Sequence, residues 1–340
     1  MYSIPRALAH TIVAVFLSWM FFMAGCTSFS HLTRIPPEDH DGPQAIHCSA
    51  CHMQQYQEWI GTAHARSFSN KSFQEATETP EEDSCLRCHV PLGIHEREAE
   101  ARSFHRDEGI NCISCHLSQG KMHGPHKSSA LFTPHPIEQD PFYLTPALCA
   151  TCHEETYSQW KKVAAEQNLR SCQQCHQSTK QCYVSQGTNL FSNVLVSFEE
   201  KVMACNHSIT LEKMSNFPDG VNMTVHASQK VKNTPTLTIK IRNNLPHNLP
   251  TGTFGKKEVQ LSLLFFKGDS QVAEKRLLVS DEGKALVAGE TKNLIVPLSH
   301  EESGADTLRL QLERHSSNDP ERPPIVLSSK IIDSIHEAFY

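Results

Sequence analysis

The pattern Cys-x-x-Cys-His occurs five times in the 340 residues, at 48–52, 85–89, 112–116, 149–153 and 172–176. Two thiols three positions apart, followed at once by an imidazole, suit one chemistry above others. Both thiols form thioethers with the vinyl groups of a haem, and the histidine takes the iron from one face. That reading makes Cys48, Cys51, Cys85, Cys88, Cys112, Cys115, Cys149, Cys152, Cys172 and Cys175 the covalent anchors. His52, His89, His116, His153 and His176 become the proximal ligands. Zinc is the plain alternative. A zinc site draws four ligands from two knuckles, so five knuckles leave one over, and zinc needs no histidine behind every second cysteine. A thioredoxin-type dithiol needs one motif, not five. The residues therefore predict five covalently bound haem c groups, each with an iron, and a chain that moves electrons.

The elements that must position these groups are short. Successive motifs start 37, 27, 37 and 23 residues apart, which leaves too little chain for an ordinary apolar core. Residues 45–182 are expected to form a mainly α and irregular multihaem domain organised around stacked haems. An internal repeat supports this. CSACHMQQYQEW at 48–59 aligns without gaps to CATCHEETYSQW at 149–160. Each copy reads as a helix starting at the motif. Tyr56 and Trp59 in one, and Tyr157 and Trp160 in the other, then share a helix face, and are expected to pack on a porphyrin.

Residues 183–230 read as a mixed connector. From about 231 the pattern turns to alternation. TLTIKIRNN puts Leu237, Ile239 and Ile241 on one face, and EVQLSLLFF does the same with Val259, Leu261, Leu263 and Phe265. KRLLVSD, TKNLIVPL, TLRLQLER and PIVLSSKII follow. About six short strands separated by polar turns predict a C-terminal antiparallel β-sandwich-like domain over 231–340.

The N-terminus carries Arg6 and then an apolar run over 11–23 that ends at Met-Ala-Gly-Cys. The run is short for a membrane span. It resembles a bacterial lipoprotein signal over 1–25, with Cys26 as the lipid anchor and 26–44 as a tether. Thr27, rather than Asp, resembles lipoproteins sent on to the outer membrane. The expected location is therefore the periplasmic side of a bacterial membrane, or the outer membrane. Cys182 and Cys205 would face an oxidising compartment, where they could pair or stay as thiols. The formal charge of −6 comes with no basic run, which argues against nucleic acid as a partner.

The ligand on the other face of each iron decides between carrier and enzyme. Of 21 histidines, five sit in the motifs and His10 in the leader, so the supply is ample. CSACHMQQYQEWIGTAHARSF, CLRCHVPLG and EGINCISCHLSQGKMHGPH are similar to the opening motifs of the cytochrome c-554 family, also described as the cytochrome c-552/4 domain. The resemblance covers about residues 45–180. It implies His64 as a distal ligand, and His123 or His126 as another. NNLPHNLPTG at 243–252 resembles a β-domain edge found in multihaem cytochromes, which implies that His247 reaches back to a haem and that the β-domain clamps the haem stack. His226 resembles the histidine that often precedes such a domain. The second repeat copy lacks the family's His-Ala after Trp160, so His95, His105, His135 and His207 form a reserve, and Met could also serve.

The leading expectation is a membrane-anchored pentahaem electron carrier with no catalytic residue of its own. It would exchange electrons with donor and acceptor cytochromes, or with a quinol-linked oxidoreductase, in an anaerobic or nitrogen/metal respiratory chain. A third reading adds a structural role, with the β-domain docking onto a partner. The runner-up is a reductase or oxidase of a small nitrogen or sulfur compound at one open haem. No Cys-x-x-Cys-Lys marks such a site. Arg97, Arg102 and Arg106 are expected to neutralise propionates or face solvent.

Overall fold

A computed structural model describes residues 42–77, 82–95, 99–127, 135–186, 193, 199–209, 220–231, 234–252, 256–316 and 323–334. Cys26, the leader and Arg97 lie outside the described residues. The chain divides into two compact units. One holds the chain up to Leu148 together with Ser178–Ser208; the other holds Cys149–Gln177 and everything from Ile209 onward. The first three motifs thus belong to one unit and the last two to the other.

The first unit is built from short pieces. Its helices are α1 (Ala45–Cys48), α2 (Met53–Ile60), α3 (Lys71–Ala76), α4 (Asp83–His89) and α5 (Cys112–His116). Two-residue strands β1 (Pro91–Leu92) and β2 (Glu100–Ala101) pair antiparallel. Strand β3 (Leu117–Ser118) pairs antiparallel with β4 (Lys121–Gly124), which runs parallel to β5 (Ile137–Gln139). Strands β6 (Thr179–Cys182) and β7 (Val202–Cys205) make a last antiparallel pair. Buried apolar side chains such as Leu86, Val90, Ile113 and Leu117 are scattered here rather than gathered into one cluster.

One close approach shapes this unit. Gly109 has φ +56°, and a Cβ there would stand 2.5 Å from the carbonyl oxygen of His64 and 2.5 Å from Oγ of Ser67. Only glycine accepts both the left-handed backbone and the contact. The chain just before motif 3 is therefore laid directly on the 64–67 turn, where Ile110 N donates to His64 O at 3.0 Å.

Helix α6 (Ala147–Ala150) spans the junction of the units. The second unit then continues with α7 (Glu154–Ala164) and α8 (Cys172–His176). Its strands are β8 (Val221–Val231), β9 (Thr234–Asn243), β10 (Lys257–Lys267), β11 (Ser270–Asp281), β12 (Thr291–Pro297), β13 (Thr307–Ser316) and β14 (Ile325–Asp333), with α9 (His300–Ser303) between β12 and β13. They form two sheets, in the orders β11-β10-β13-β14 and β12-β9-β8. Every neighbouring pair is antiparallel. Leu237, Ile239 and Ile241 from one sheet and Val259, Leu261, Leu263, Phe265, Leu308, Leu310 and Leu312 from the other are at most 1% exposed and share one core. Each contributes about 2 kcal/mol through removal of apolar surface from water. The six strands expected from alternation are all present. The seventh, β8, lies inside the stretch read as connector. Its inward residues Val221, Met223 and Val225 do alternate, but the apolar alternation is short and a polar run, Ser228 to Lys230, follows it.

Candidate haem sites

Each motif sits in a single helical turn. Motif 2 closes α4, and motifs 3 and 5 are α5 and α8 themselves. In motifs 1 and 4 the turn is held by His52 N donating to Cys48 O (2.8 Å) and His153 N to Cys149 O (2.9 Å). Positions i, i+3 and i+4 of such a turn lie on one face, so both thiols and the imidazole address the same space. Caps fix where two of the turns begin. Asn111 and Ser114 form a reciprocal capping box at α5, and Ser171 and Gln174 form another at α8. Among the described residues, no group of three or more His, Cys, Asp or Glu side chains converges as a bare metal ion would require.

The imidazoles are oriented for ligation. Nδ1 of His52 lies 3.0 Å from Val184 O, Nδ1 of His89 lies 2.6 Å from Ser67 O, and Nδ1 of His116 lies 2.7 Å from His123 O. A carbonyl can only accept, so each Nδ1 donates and Nε2 keeps its lone pair for a metal. Burial pushes His116 and His176 down to about 4 and lowers His89 and His153 as well. The neutral form, which binds iron, is the resting form.

Three proximal rings face a second imidazole. The centroids of His52 and His135 are 6.3 Å apart, those of His116 and His207 are 6.1 Å apart, and those of His176 and His247 are 6.4 Å apart. An iron between two opposed imidazoles, at the ~2 Å metal–nitrogen distance usual for histidine, would hold the centroids roughly 6 Å apart. The spacing suits a shared iron.

Around the other candidates, the His64 carbonyl accepts from Ile110 N and Ser67 N. The His123 ring lies 5.3 Å from that of His95, and its carbonyl serves His116. His126 is half-buried beyond β4. His226 is exposed on β8, opposite Thr238. His95 bonds Cys115 O at 2.8 Å and the Tyr143 hydroxyl, with Asp140 3.3 Å from its other nitrogen. His105 lies 3.3 Å from the Gln44 amide.

Arg102 departs from expectation. It is 1% exposed, and its guanidinium reaches Phe104 O, Asn111 Oδ1, Ser114 Oγ, His105 O and Gly109 O at 2.7–2.9 Å. It is a structural clamp on the approach to motif 3. Arg106 donates to Arg102 O at 3.1 Å. Cys182 and Cys205 do not pair. The β6–β7 register sets Cys182 opposite Val202 and Cys205 opposite Thr179, so the two stand at opposite ends of the ladder.

The loop carrying His247 is tied on both sides. Nδ2 of the fully buried Asn243 donates to His247 O (3.0 Å) and Leu286 O (2.9 Å). Oε1 of Gln159, on α7 behind motif 4, accepts from Asn248 N (3.0 Å) and from the Thr251 hydroxyl (2.8 Å). One loop thus holds the helix after motif 4 while presenting His247 to motif 5.

A family model described as cytochrome c554 and c-prime matches residues 47–117, which span motifs 1 to 3. A pentahaem cytochrome c552 from Thermochromatium tepidum is similar in fold, with a TM-score of 0.58 at 14% identity over 86% of this chain and 98% of that one. Over motifs 1 to 3 the chain thus matches the cytochrome c554 and c-prime family, and its fold is similar to that of a pentahaem cytochrome. The ApaA protein from Bordetella pertussis, at 13% identity over 33% of this chain and 90% of that one, reaches a TM-score of only 0.21 and carries no argument. No curated protein matches the chain. No helix among its described residues is long and apolar enough to cross a membrane.

Proposed function

We propose that this chain is a five-haem electron carrier, tethered to a bacterial membrane by a lipid on Cys26 and passing electrons between partner redox proteins outside the cytoplasm. The observation that carries the reading is the set of three imidazole pairs at 6.1–6.4 Å. In it, His135, His207 and His247 are the distal ligands at motifs 1, 3 and 5. Haem supplies the reversible one-electron chemistry. The protein's part is to fix two imidazoles on each such iron, which closes it to substrates and favours a low-spin carrier. The β-sandwich region serves as the clamp that delivers His247.

A second reading has one specific support. At motif 2 the Phe73 ring packs on His89 with centroids 3.8 Å apart. An open iron there would make the protein a reductase or oxidase of a small nitrogen or sulfur compound. The test uses holoprotein exported from a bacterial host with its haems attached. Intact mass is expected to show five haem groups. Full reduction should be followed by rapid reoxidation by a second cytochrome, with no turnover of nitrite, hydroxylamine or sulfite. Steady consumption of any of the three would replace the carrier reading with the enzyme reading, and fewer than five haems would refute the count.

A further inference from the structure

The repeat at 48–59 and 149–160 extends into the bonding pattern. Trp59 Nε1 donates to Ile110 O at 2.8 Å, and Trp160 Nε1 donates to Arg170 O at 3.1 Å. Each acceptor lies two residues before the first cysteine of another motif, Cys112 in one case and Cys172 in the other. In both copies the intervening residue, Asn111 or Ser171, caps the helix that carries that motif. In both copies the first cysteines of the two motifs, Cys48 with Cys112 and Cys149 with Cys172, lie within hydrogen-bonding reach of each other. Helix α1 also packs on α5. The correspondence is residue for residue, although the linking chain is long in the first copy and short in the second. Motif 2 lies within the longer link.

From this we infer that Trp59 and Trp160 are positioning residues that dock a second haem motif onto the first, so that motifs 1 and 3 form one closely coupled haem pair and motifs 4 and 5 another. The indole N–H fixes the carbonyl just ahead of the capped turn, the cap fixes the first cysteine, and the cysteine fixes the edge of its porphyrin. Electron exchange falls steeply with separation, so the latch would set the rate within each pair. This rests on the haem reading above; a haem count on the unaltered protein tests that reading separately.

The experiment compares holoprotein carrying Trp59→Phe, Trp160→Phe or both with a Tyr56→Phe control. Phenylalanine keeps an aromatic ring and removes the donor. All four proteins are expected to load the full haem complement. The paired, two-signed Soret circular dichroism of coupled haems should lose one contribution in each single variant and nearly vanish in the double variant, while Tyr56→Phe leaves it intact. Fully loaded Trp variants with unchanged Soret dichroism and unchanged midpoint potentials would overturn the proposal. If a Phe variant loads fewer haems, replacing tryptophan by benzothienylalanine, where sulfur stands for the N–H at similar volume, decides the matter. Loss of the dichroism supports the latch, and its retention overturns it.

Discussion

Arg102→Leu is expected to cost the protein the haem at motif 3 and most of the stability of the segment before it. The guanidinium satisfies three backbone carbonyls and both members of the α5 capping box in a site 1% exposed to water. Leucine fills part of the volume and takes away the donor to the Phe104 and Gly109 carbonyls, while His105 O keeps Glu108 N and the capping box keeps its own bonds. Each buried unsatisfied group costs about 1–3 kcal/mol, so two of them cost roughly 2–6 kcal/mol against a domain stability of about 5–15 kcal/mol. Lysine should rescue little. Its single ammonium cannot reproduce a planar fork that serves five acceptors at once. Burial holds Arg102 down at about 10, so it stays charged at neutral pH and its bonds are charge-assisted. Intact mass should show one haem fewer, or full-length protein should fail to accumulate. Fully loaded Arg102→Leu with an unchanged urea midpoint would show that the clamp is dispensable.

Asn243→Leu is expected to have two separable effects. The first is a loss of roughly 2–4 kcal/mol from the strand-rich region, because the His247 carbonyl and the Leu245 amide lose their partner at once and Leu286 O is left with Leu249 N alone. The second is a change at motif 5. Asn243 is what holds the His247 carbonyl in place, so the ring that faces His176 at 6.4 Å would no longer be fixed. One haem's share of low-spin iron should become high-spin. Far-ultraviolet circular dichroism in urea measures the first effect, and the ferric optical spectrum the second. His247→Ala should reproduce the spectral change alone, since His247 is a ligand in this account and not a structural tie.

The contrast between what was legible and what was not has a physical basis. Covalent anchorage is local. Two thiols and an imidazole within five residues announce their chemistry wherever the chain goes. Strands buried on one face are local too, so the alternation at 237–241 and 259–265 translated into strands with every inward residue at most 1% exposed. The proposed distal histidines are not local. His135 and His207 come from segments with no motif of their own, and only the fold sets them opposite His52 and His116. His247 stands in a loop with a composition of its own, 243–252, so the sequence could single it out. His123 shows the opposite case. It is close to motif 3 in sequence, yet it contributes its carbonyl to His116 and turns its ring toward His95. The tryptophans fall in between. Their repetition was visible along the chain, but the carbonyls they bind lie 51 and 10 residues away, and no local pattern gives that partner.

The measurement that tests the central claim most directly is low-temperature EPR with spin quantitation on the fully haem-loaded ferric protein. Histidine pairs at motifs 1, 3 and 5 require at least three of the five irons to be low-spin, with signals typical of two imidazole ligands. More than two-fifths of the iron in the high-spin form would contradict the account, because at least one of the three pairs would then not share an iron.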